Sequence, residues 1–441
     1  MSEKPRRFKG GVHPNDSKAL SAGKAICAAP LLERYVVIMH QNIGAPPEVL
    51  AKRGDAVKKG QVLAKAGGFV SVPLHAPTSG KVKGIVKCPG PMGLQVAAFE
   101  IEADGEDAFE PPFEPIENWM DCDPAELKQR VWDAGIVGMG GAGFPAHVKL
   151  SPPEDRKIDT LILNGAECEP YLTADHRLML EEAEKVVEGA AIIARILGLD
   201  GAVIGVEDNK ADAIEALGKV AGSHGVRVQP LPVNYPQGAE KQLIYAVTGR
   251  EVPVGKLPMD VGCVVQNVAS AAAMAEAVLE GKPSIERVAT VTGKPVANPG
   301  NWRFRIGTPV FKALELAGGV TEPPSKLLLG GPMMGIAQTS LDVTVMKNTS
   351  GILLISRDEV SQYVSDPCIR CGRCVEVCPM GLLPATISQA VENKRFDWAE
   401  ELHVEACIEC GSCSYVCPAK RPLNQHFKRA KIEIRAQLRK K

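Results

Sequence analysis

Eight of the thirteen cysteines fall within residues 368–417. They are spaced as Cys368-x2-Cys371-x2-Cys374-x3-Cys378-Pro379, and the pattern repeats as Cys407-x2-Cys410-x2-Cys413-x3-Cys417-Pro418. Three thiolates two residues apart can wrap one face of a cubane, and soft thiolate suits iron–sulfur clusters. Zinc needs four ligands, usually as two separated pairs, and leaves the doubled spacing unexplained. The chemistry implied is one-electron transfer by two [4Fe–4S] clusters. The other five cysteines (Cys27, Cys88, Cys122, Cys168, Cys263) are scattered without a pairing pattern. That favours a reducing compartment over a disulfide framework.

The module resembles the bacterial two-cluster ferredoxins, in which the fourth cysteine of each run ligates the other cluster. The resemblance implies Cys368, Cys371, Cys374 and Cys417 for one centre, and Cys407, Cys410, Cys413 and Cys378 for the other.

A second candidate is glycine-rich. Gly138-x-Gly140-x-x-Gly143 satisfies the dinucleotide fingerprint in form, but that fingerprint has meaning only between a strand and a helix. Here a helical pattern (Leu127, Val131, Ala134) comes before it and Phe144-Pro145 after it. The ordinary Rossmann reading fails on context. Four glycines can still bring backbone N–H groups against a phosphate or a flat ring, and a plain structural turn stays equally open.

The elements that must position these residues are legible in outline. At 441 residues the chain is too long for one core, and three or four domains are expected. Short β runs (residues 35–39, 61–65 and 81–86) between Gly and Pro signals indicate a small all-β unit. Residues 102–126 hold ten acidic residues and no Lys or Arg, which reads as a linker. Strand patterns at 161–163, 202–206 and 226–229 alternate with helical ones at 175–197 and 208–220, the second opening on Asp208 as a cap. That alternation implies a parallel sheet covered by helices. A formal charge of −1 implies no polyelectrolyte partner, nucleic acid included. No apolar run reaches 18 residues and the basic N-terminus lacks an apolar core, so neither a membrane span nor a signal peptide is expected.

Gly140-Gly141-Ala142-Gly143-Phe144-Pro145 with Lys149 resembles the flavin loop of the flavoprotein subunit of respiratory complex I. Asn164-Gly-Ala-Glu167-Cys-Glu169-Pro170, Tyr235-Pro-Gln-Gly238-Ala-Glu240 and Val265-Gln266-Asn267 resemble its later segments, in order. The whole chain, from Gly10-Gly11-Val12-His13-Pro14 to the tandem cysteine motif, is closer still to the C subunits of Rnf electron-transport complexes. The resemblance implies non-covalent FMN and an NADH site. Gly140, Gly141, Gly143, Lys149 and Asn164 would hold FMN phosphate and ribityl, with Glu167 in the same segment. Tyr235, Gly238 and Asn267 would line the rest of the pocket, and Phe144, Glu169 and Glu240 would meet NADH. Ala166, Ala239 and Gln266 depart from the complex I pattern, so ribose and ring contacts must differ. No protein acid, base or nucleophile is needed for hydride transfer, and no catalytic residue is assigned.

Residues 54–85 resemble a lipoyl or biotinyl hammerhead, but the position of the modified lysine is Phe69. Without an amine to acylate, a scaffold or docking role is expected. Residues 289–319 resemble the soluble-ligand-binding β-grasp (SLBB) domain. The expected fold is multidomain α/β and α+β. It comprises an arm (1–26), a degenerate barrel-sandwich unit (27–104), an acidic Pro-rich linker (105–125), a Rossmann-like FMN/NADH domain (126–283), an SLBB β-grasp domain (284–360), a two-cluster ferredoxin-like domain (361–420) and a basic tail (421–441). The expected function is an NADH-oxidising or NAD+-reducing electron-entry subunit. It would be peripheral on the cytoplasmic side of an ion-pumping membrane complex, among partners that include a ferredoxin-like iron–sulfur subunit. Two rivals remain at this level: a soluble cobalamin reductase of a metabolic microcompartment, and a non-enzymatic iron–sulfur relay.

Overall fold

The computed structural model describes residues 5–360 and 364–438. The start of the arm, the start of the cysteine domain at 361–363 and the last three residues of the basic tail lie outside the described residues.

Strand β1 (Ile26–Ala28) pairs in parallel with residues 301–303 far along the chain, so the end of the arm belongs to a later sheet, not to the barrel unit. The barrel unit follows: β2 (Arg34–Ile38), β3 (Glu48–Val49), β4 (Ala56–Val57), β5 (Val62–Lys65), β6 (Leu74–His75), β7 (Gly80–Pro89) and β8 (Gln95–Ala103). They form antiparallel sheets in the orders β2-β8-β7-β4 and β3-β5-β6. Val37, Leu63, Leu74, Val82, Phe99 and Ile101 fill the space between the sheets, as alternation in strands requires.

Phe69, at the carrier-lysine position, sits against the next unit. Its ring meets Trp132 and His147 edge-on at 5.8 and 5.4 Å, and its carbonyl lies 2.7 Å from His147 Nε2. Trp132 Nε1 donates to the Ser71 carbonyl at 3.0 Å. A loop held in this way cannot swing as a carrier arm does. Intact-mass analysis is expected to show no lipoyl or biotinyl group on residues 32–104. Either mass on a lysine there would overturn the docking role of this loop.

The acidic segment 105–125, expected as a linker, is a packed strap. Arg305 donates to both Asp107 carboxylate oxygens at 2.7 and 2.6 Å, and Lys59 adds a contact at 3.0 Å. Trp119 is buried, Phe113 lies under Arg130, and Ile116 N–H donates to the Val278 carbonyl. Phe113, Ile116 and Trp119, spread among the acids, pack against the apolar clusters behind it.

The third unit carries α1 (Pro124–Asp133), α2 (Ala146–Lys149), β9 (Thr160–Gly165), α3 (Ala174–Glu181), α4 (Ala183–Leu197), β10 (Ala202–Glu207), α5 (Ala211–Ala221), β11 (Val226–Leu231), α6 (Glu240–Thr248), β12 (Cys263–Asn267) and α7 (Val268–Leu279). Its sheet is wholly parallel in the order β11-β10-β9-β12. Asp123 caps α1 by accepting from Ala125 N–H, with Pro124 at the first helical position. Helices α4 and α7 touch closely because residue 189 is glycine: a Cβ there would lie 2.0 Å from the Ala271 carbonyl oxygen. The helical pattern at 175–197 is two helices, broken at Glu182, whose carboxylate is taken by Arg303. Asp208 does not cap α5. The helix starts at Ala211 without a side-chain cap, because the 207–210 turn is committed to sending Lys210 inward.

The fourth sheet collects β13 (Glu286–Thr292), β14 (Gly300–Arg305), β15 (Lys326–Leu329), β16 (Ile336–Gln338) and β17 (Gly351–Ile355) with β1, in the order β1-β14-β13-β17-β15-β16; α8 (Val310–Leu316) packs on it. The last unit holds α9 (Arg373–Glu376), α10 (Pro384–Glu392), α11 (Phe396–Glu401), α12 (Ser412–Tyr415) and α13 (Leu423–Leu438). Helix α13 lies within the stretch expected to be a basic tail. It is a core element instead: Leu423, Phe427, Ala430 and Ile434 recur at helical spacing and are buried against α10 and α11. Two of its charges pair within the unit, Lys431 with Glu409 at 2.8 Å and Arg435 with Glu405 at 2.8 Å. Removing residues 428–441 would therefore dismantle this core rather than a docking appendage.

Candidate redox site

The two cysteine repeats fold alike. Arg370 and Glu409 share left-handed φ values of 56° and 58°, and Gly372 and Gly411 share 79° and 80°. These turns deliver three sulfurs of each run to one place. The fourth crosses over. Cys378 lines a small cavity with Cys407, Cys410 and Cys413. Cys417 lines a more open groove with Cys368, Cys371 and Cys374. Among the described residues no three His, Cys, Asp or Glu side chains converge closely enough to hold a single ion; the thiols surround a space. Burial pushes Cys407 up to about 11 and Cys413 up to about 12, so a strong Lewis acid must displace their protons. This donor set fits a cubane.

The two spaces face different ways. Cys410 is buried, whereas Cys368 and Cys371 are exposed. The inner cavity abuts the parallel-sheet unit: the Tyr235 hydroxyl lies 2.8 Å from the Cys410 carbonyl, and Gln242 Nε2 lies 3.5 Å from that of Pro379.

In chain order the parallel strands run third, second, first, fourth, so the order reverses between β9 and β12. Open α/β sheets bind ligands outside the carboxyl ends of strands at such a switch point. Asn164 and Asn267, at the carboxyl ends of β9 and β12, are paired in register there. Asn164 Nδ2 donates to the Gly238 carbonyl at 2.8 Å. Asn267 caps α7 through Ala269 N–H and gives its amide to buried Asp175, which burial and the Glu167 charge push up. The glycine loop closes on the same spot: a Cβ on Gly140 would lie 2.8 Å from Asn267 Nδ2, whereas one on Gly141 would meet nothing within 4 Å. Among the described residues, the N–H groups of Gly140, Gly141 and Ala142 make no hydrogen bond within the chain. Lys149, on α2, is half-buried and donates to Glu240 at 2.7 Å and to the Val265 carbonyl at 3.1 Å. Free amides beside a lysine fit a phosphate. The residues present thus fit a phosphorylated flavin.

The motif segments therefore meet, but two acids have other duties. Glu167 accepts from Asp175 and His176 N–H at 2.7 and 3.1 Å, capping α3. Glu169 accepts from Met333 and Met334 N–H in the β15–β16 loop. Phe144 is partly buried, its carbonyl closing the loop onto Gly138 N–H. Sequence reasoning missed the supports. Lys18 is buried and donates to the carbonyls of Glu167, Glu169 and Leu172, and Lys210 to that of Ala166. Asn348 Nδ2 donates to the Gly141 carbonyl and Ile43 N–H to that of Gly143, so two other units grip the glycine loop. No local pattern marks these residues, because each partner lies more than about 40 positions away, beyond the reach of helix or strand periodicity.

Known proteins agree with this architecture. Family models match for the RnfC barrel sandwich hybrid domain (6–106), the Nuo51 FMN-binding domain (131–276), the SLBB domain (288–337) and the 4Fe-4S dicluster domain (361–418). The C subunit of the proton-translocating ferredoxin:NAD(+) oxidoreductase complex of Clostridium ljungdahlii is 49% identical, covering 98% of this chain and 94% of its own. Its Na(+)-translocating counterpart from Acetobacterium woodii is 47% identical over the full length of both. The C subunit of the ion-translocating oxidoreductase complex of Rhodobacter capsulatus is 44% identical, covering 97% of this chain and 83% of its own. Among solved structures, a chain of an NAD+-reducing [NiFe]-hydrogenase in the H2-reduced state superposes with a TM-score of 0.50 at 21% identity, over 73% of this chain and 64% of that one. That similarity speaks for the fold alone. With this identity to relatives over nearly its whole length, the chain belongs to the family of C subunits of Rnf-type ferredoxin:NAD+ oxidoreductase complexes.

Proposed function

We propose that this chain is the NADH-oxidising, or in reverse NAD+-reducing, electron-entry subunit of an ion-translocating ferredoxin:NAD+ oxidoreductase complex. It binds peripherally on the cytoplasmic face of the membrane through other subunits, one of them a ferredoxin-like iron–sulfur protein. Among the described residues no helix is long and apolar enough to cross a membrane. One observation carries the reading: the β9–β12 switch point, where the glycine loop meets Asn267, belongs to the unit that touches the inner of two cysteine-lined spaces, and the outer one is lined by exposed cysteines. When bound, FMN exchanges a hydride's two electrons with NAD(H) and passes them singly, and each [4Fe–4S] cluster carries one.

The chain's own residues bind and orient. Gly140, Gly141 and Gly143 present backbone to the flavin, Lys149 meets its phosphate, and Asn164, Gly238 and Asn267 shape the floor. Phe144 and Glu240 stand at the same loop and lysine and are assigned to the nicotinamide side. The exposed Cys368–Cys371 edge is where a redox partner exchanges electrons.

Anaerobically purified protein is expected to hold one acid-releasable FMN and about eight irons, and to reduce ferricyanide with NADH. Iron without flavin would leave a pure relay and refute the entry role. Lys149→Ala is expected to weaken FMN retention by about 1.5–3 kcal/mol, the typical worth of a charge-assisted bond, with cluster EPR unchanged. Full flavin after extensive dialysis would show that Lys149 serves only Glu240 and the Val265 carbonyl.

A further inference from the structure

Three units meet at the Glu169 carboxylate. Its oxygens accept from Met334 N–H at 2.8 Å and Met333 N–H at 3.1 Å. The fit is tight: a Cβ on Gly331 would lie 2.1 Å from Glu169 Oε2, and one on Gly411 would lie 3.0 Å from the Met333 carbonyl oxygen. The Tyr235 hydroxyl stands 3.3 Å from Glu169 Oε1 and 2.8 Å from the Cys410 carbonyl. A phenol has one proton to give. The shorter contact takes it, so Tyr235 donates to Cys410. From the other side the arm completes the joint. Val12 and Tyr235 exchange both backbone hydrogen bonds, at 2.8 and 3.0 Å, and Gly11 N–H donates to the Val377 carbonyl at 2.9 Å, next to Cys378. Val12, Tyr235 and Cys410 share one buried apolar cluster with Met333 and Val377 packed on it.

We propose that Glu169 and Tyr235 are positioning residues that pin the β15–β16 loop and the Cys410 loop to the parallel-sheet unit, fixing the inner cysteine cavity against the nucleotide crevice. The purpose of the pin rests on the electron-entry reading above. The joint itself rests on the contacts. The step that crosses this seam moves one electron, oxidising the donor side by one and reducing the acceptor side by one, and no bond forms or breaks. Transfer between buried centres weakens steeply with separation, so a seam held by a carboxylate bridging two backbone amides serves it directly. The carboxylate is only partly buried, and both its oxygens already accept from backbone amides, which commits it to the joint.

The experiment uses anaerobic full-length holoprotein and the variants Glu169→Ala, Glu169→Gln and Tyr235→Phe. Three quantities are read: backbone hydrogen exchange over residues 330–335 and 407–411, EPR-monitored midpoint potentials of both clusters, and the NADH concentration that half-bleaches the flavin. Glu169→Ala is expected to speed exchange at Met333 and Met334 on the order of tenfold, and Glu169→Gln, which keeps an acceptor oxygen, less. Tyr235→Phe is expected to lower the potential of the inner cluster only, because a donor that favours its more negative state is lost. Half-bleaching by NADH should stay within about twofold in Glu169→Gln. Unchanged exchange in Glu169→Ala together with a tenfold rise in the half-bleaching concentration would make Glu169 a nicotinamide contact and overturn the pin. An unshifted inner cluster in Tyr235→Phe would overturn the role of Tyr235. If the wild-type protein carries no flavin, the entry reading fails, while exchange and cluster potentials still decide the joint.

Discussion

Cys378→Ser is expected to destroy or distort the cluster of Cys407, Cys410 and Cys413 and to spare the one built on its own run. The reason is local geometry. Cys374 sits in the single turn of α9, and Cys378 leaves it facing the second repeat, where it lines the inner cavity. Its sulfur accepts from Leu382 N–H at 3.4 Å, as Cys368 does from Arg370 and Cys407 from Glu409, so the amides around each sulfur are already aimed. Such contacts tune cluster potential. A serine oxygen is a harder ligand than thiolate and suits iron–sulfur clusters poorly. Iron should therefore fall from about eight toward about four per chain, and the remaining EPR signal should match that of Cys410→Ser. Cys417→Ser should lose the other signal and match Cys371→Ser. If Cys378→Ser and Cys371→Ser remove the same signal while Cys410→Ser removes the other, each run closes on its own cluster and the crossed assignment is wrong.

The grouping of the cysteines was legible because their spacing is itself the local geometry. The glycine loop was legible only with its companions. Taken alone, Gly138–Gly143 fits a turn as well as a ligand loop, and it is the convergence of Asn164, Gly238 and Asn267 on one sheet edge that favours the ligand loop. What stayed hidden depends on long-range contacts. The hold of Glu169 on the loop around Met333, 164 residues away, has no local signal. The acidic strap reads as a linker because composition counts charges, whereas Asp107 finds Arg305 198 residues later. The basic C-terminal stretch misled in the same way: its charges dominate the composition, and its buried Leu423, Phe427, Ala430 and Ile434 show only as a helical period.

Acidification is expected to weaken the seam between the barrel unit and the flavin loop, through His75 and His147. His75 is 2% exposed, and among the described residues neither ring nitrogen has a hydrogen-bond partner of good geometry, the Asp133 backbone offering only a weak opposing contact. Burial, then the Lys347 ammonium facing it, push its pKa down to about 3. Lys347 donates to the Pro73 and Gly135 carbonyls, and burial pushes it down to about 7. His147 is stacked on Trp132 at 4.4 Å, and burial pushes it down to about 4, against the opposing hydrogen bond to the Phe69 carbonyl and with Lys128 nearby. Both rings fold neutral, whereas the unfolded chain takes up their protons near pH 6.5. Their contribution to stability is therefore intact above about pH 6.5. It is lost as pH falls, by about 1.4 kcal/mol per unit for each ring, until the folded pKa is reached. Two rings together make about 3 kcal/mol per unit between pH 6.5 and 4. The functional consequence follows from position, since His147 lies two residues before Lys149 on α2 and flavin retention should fall over the same range. Denaturant titrations at pH 7.5, 6.5 and 5.5, followed by tryptophan fluorescence under anaerobic conditions, measure the slope. His75→Leu, which cannot be protonated, should remove about half of it. A His75→Leu protein with the wild-type slope would show that this ring does not carry the acid sensitivity.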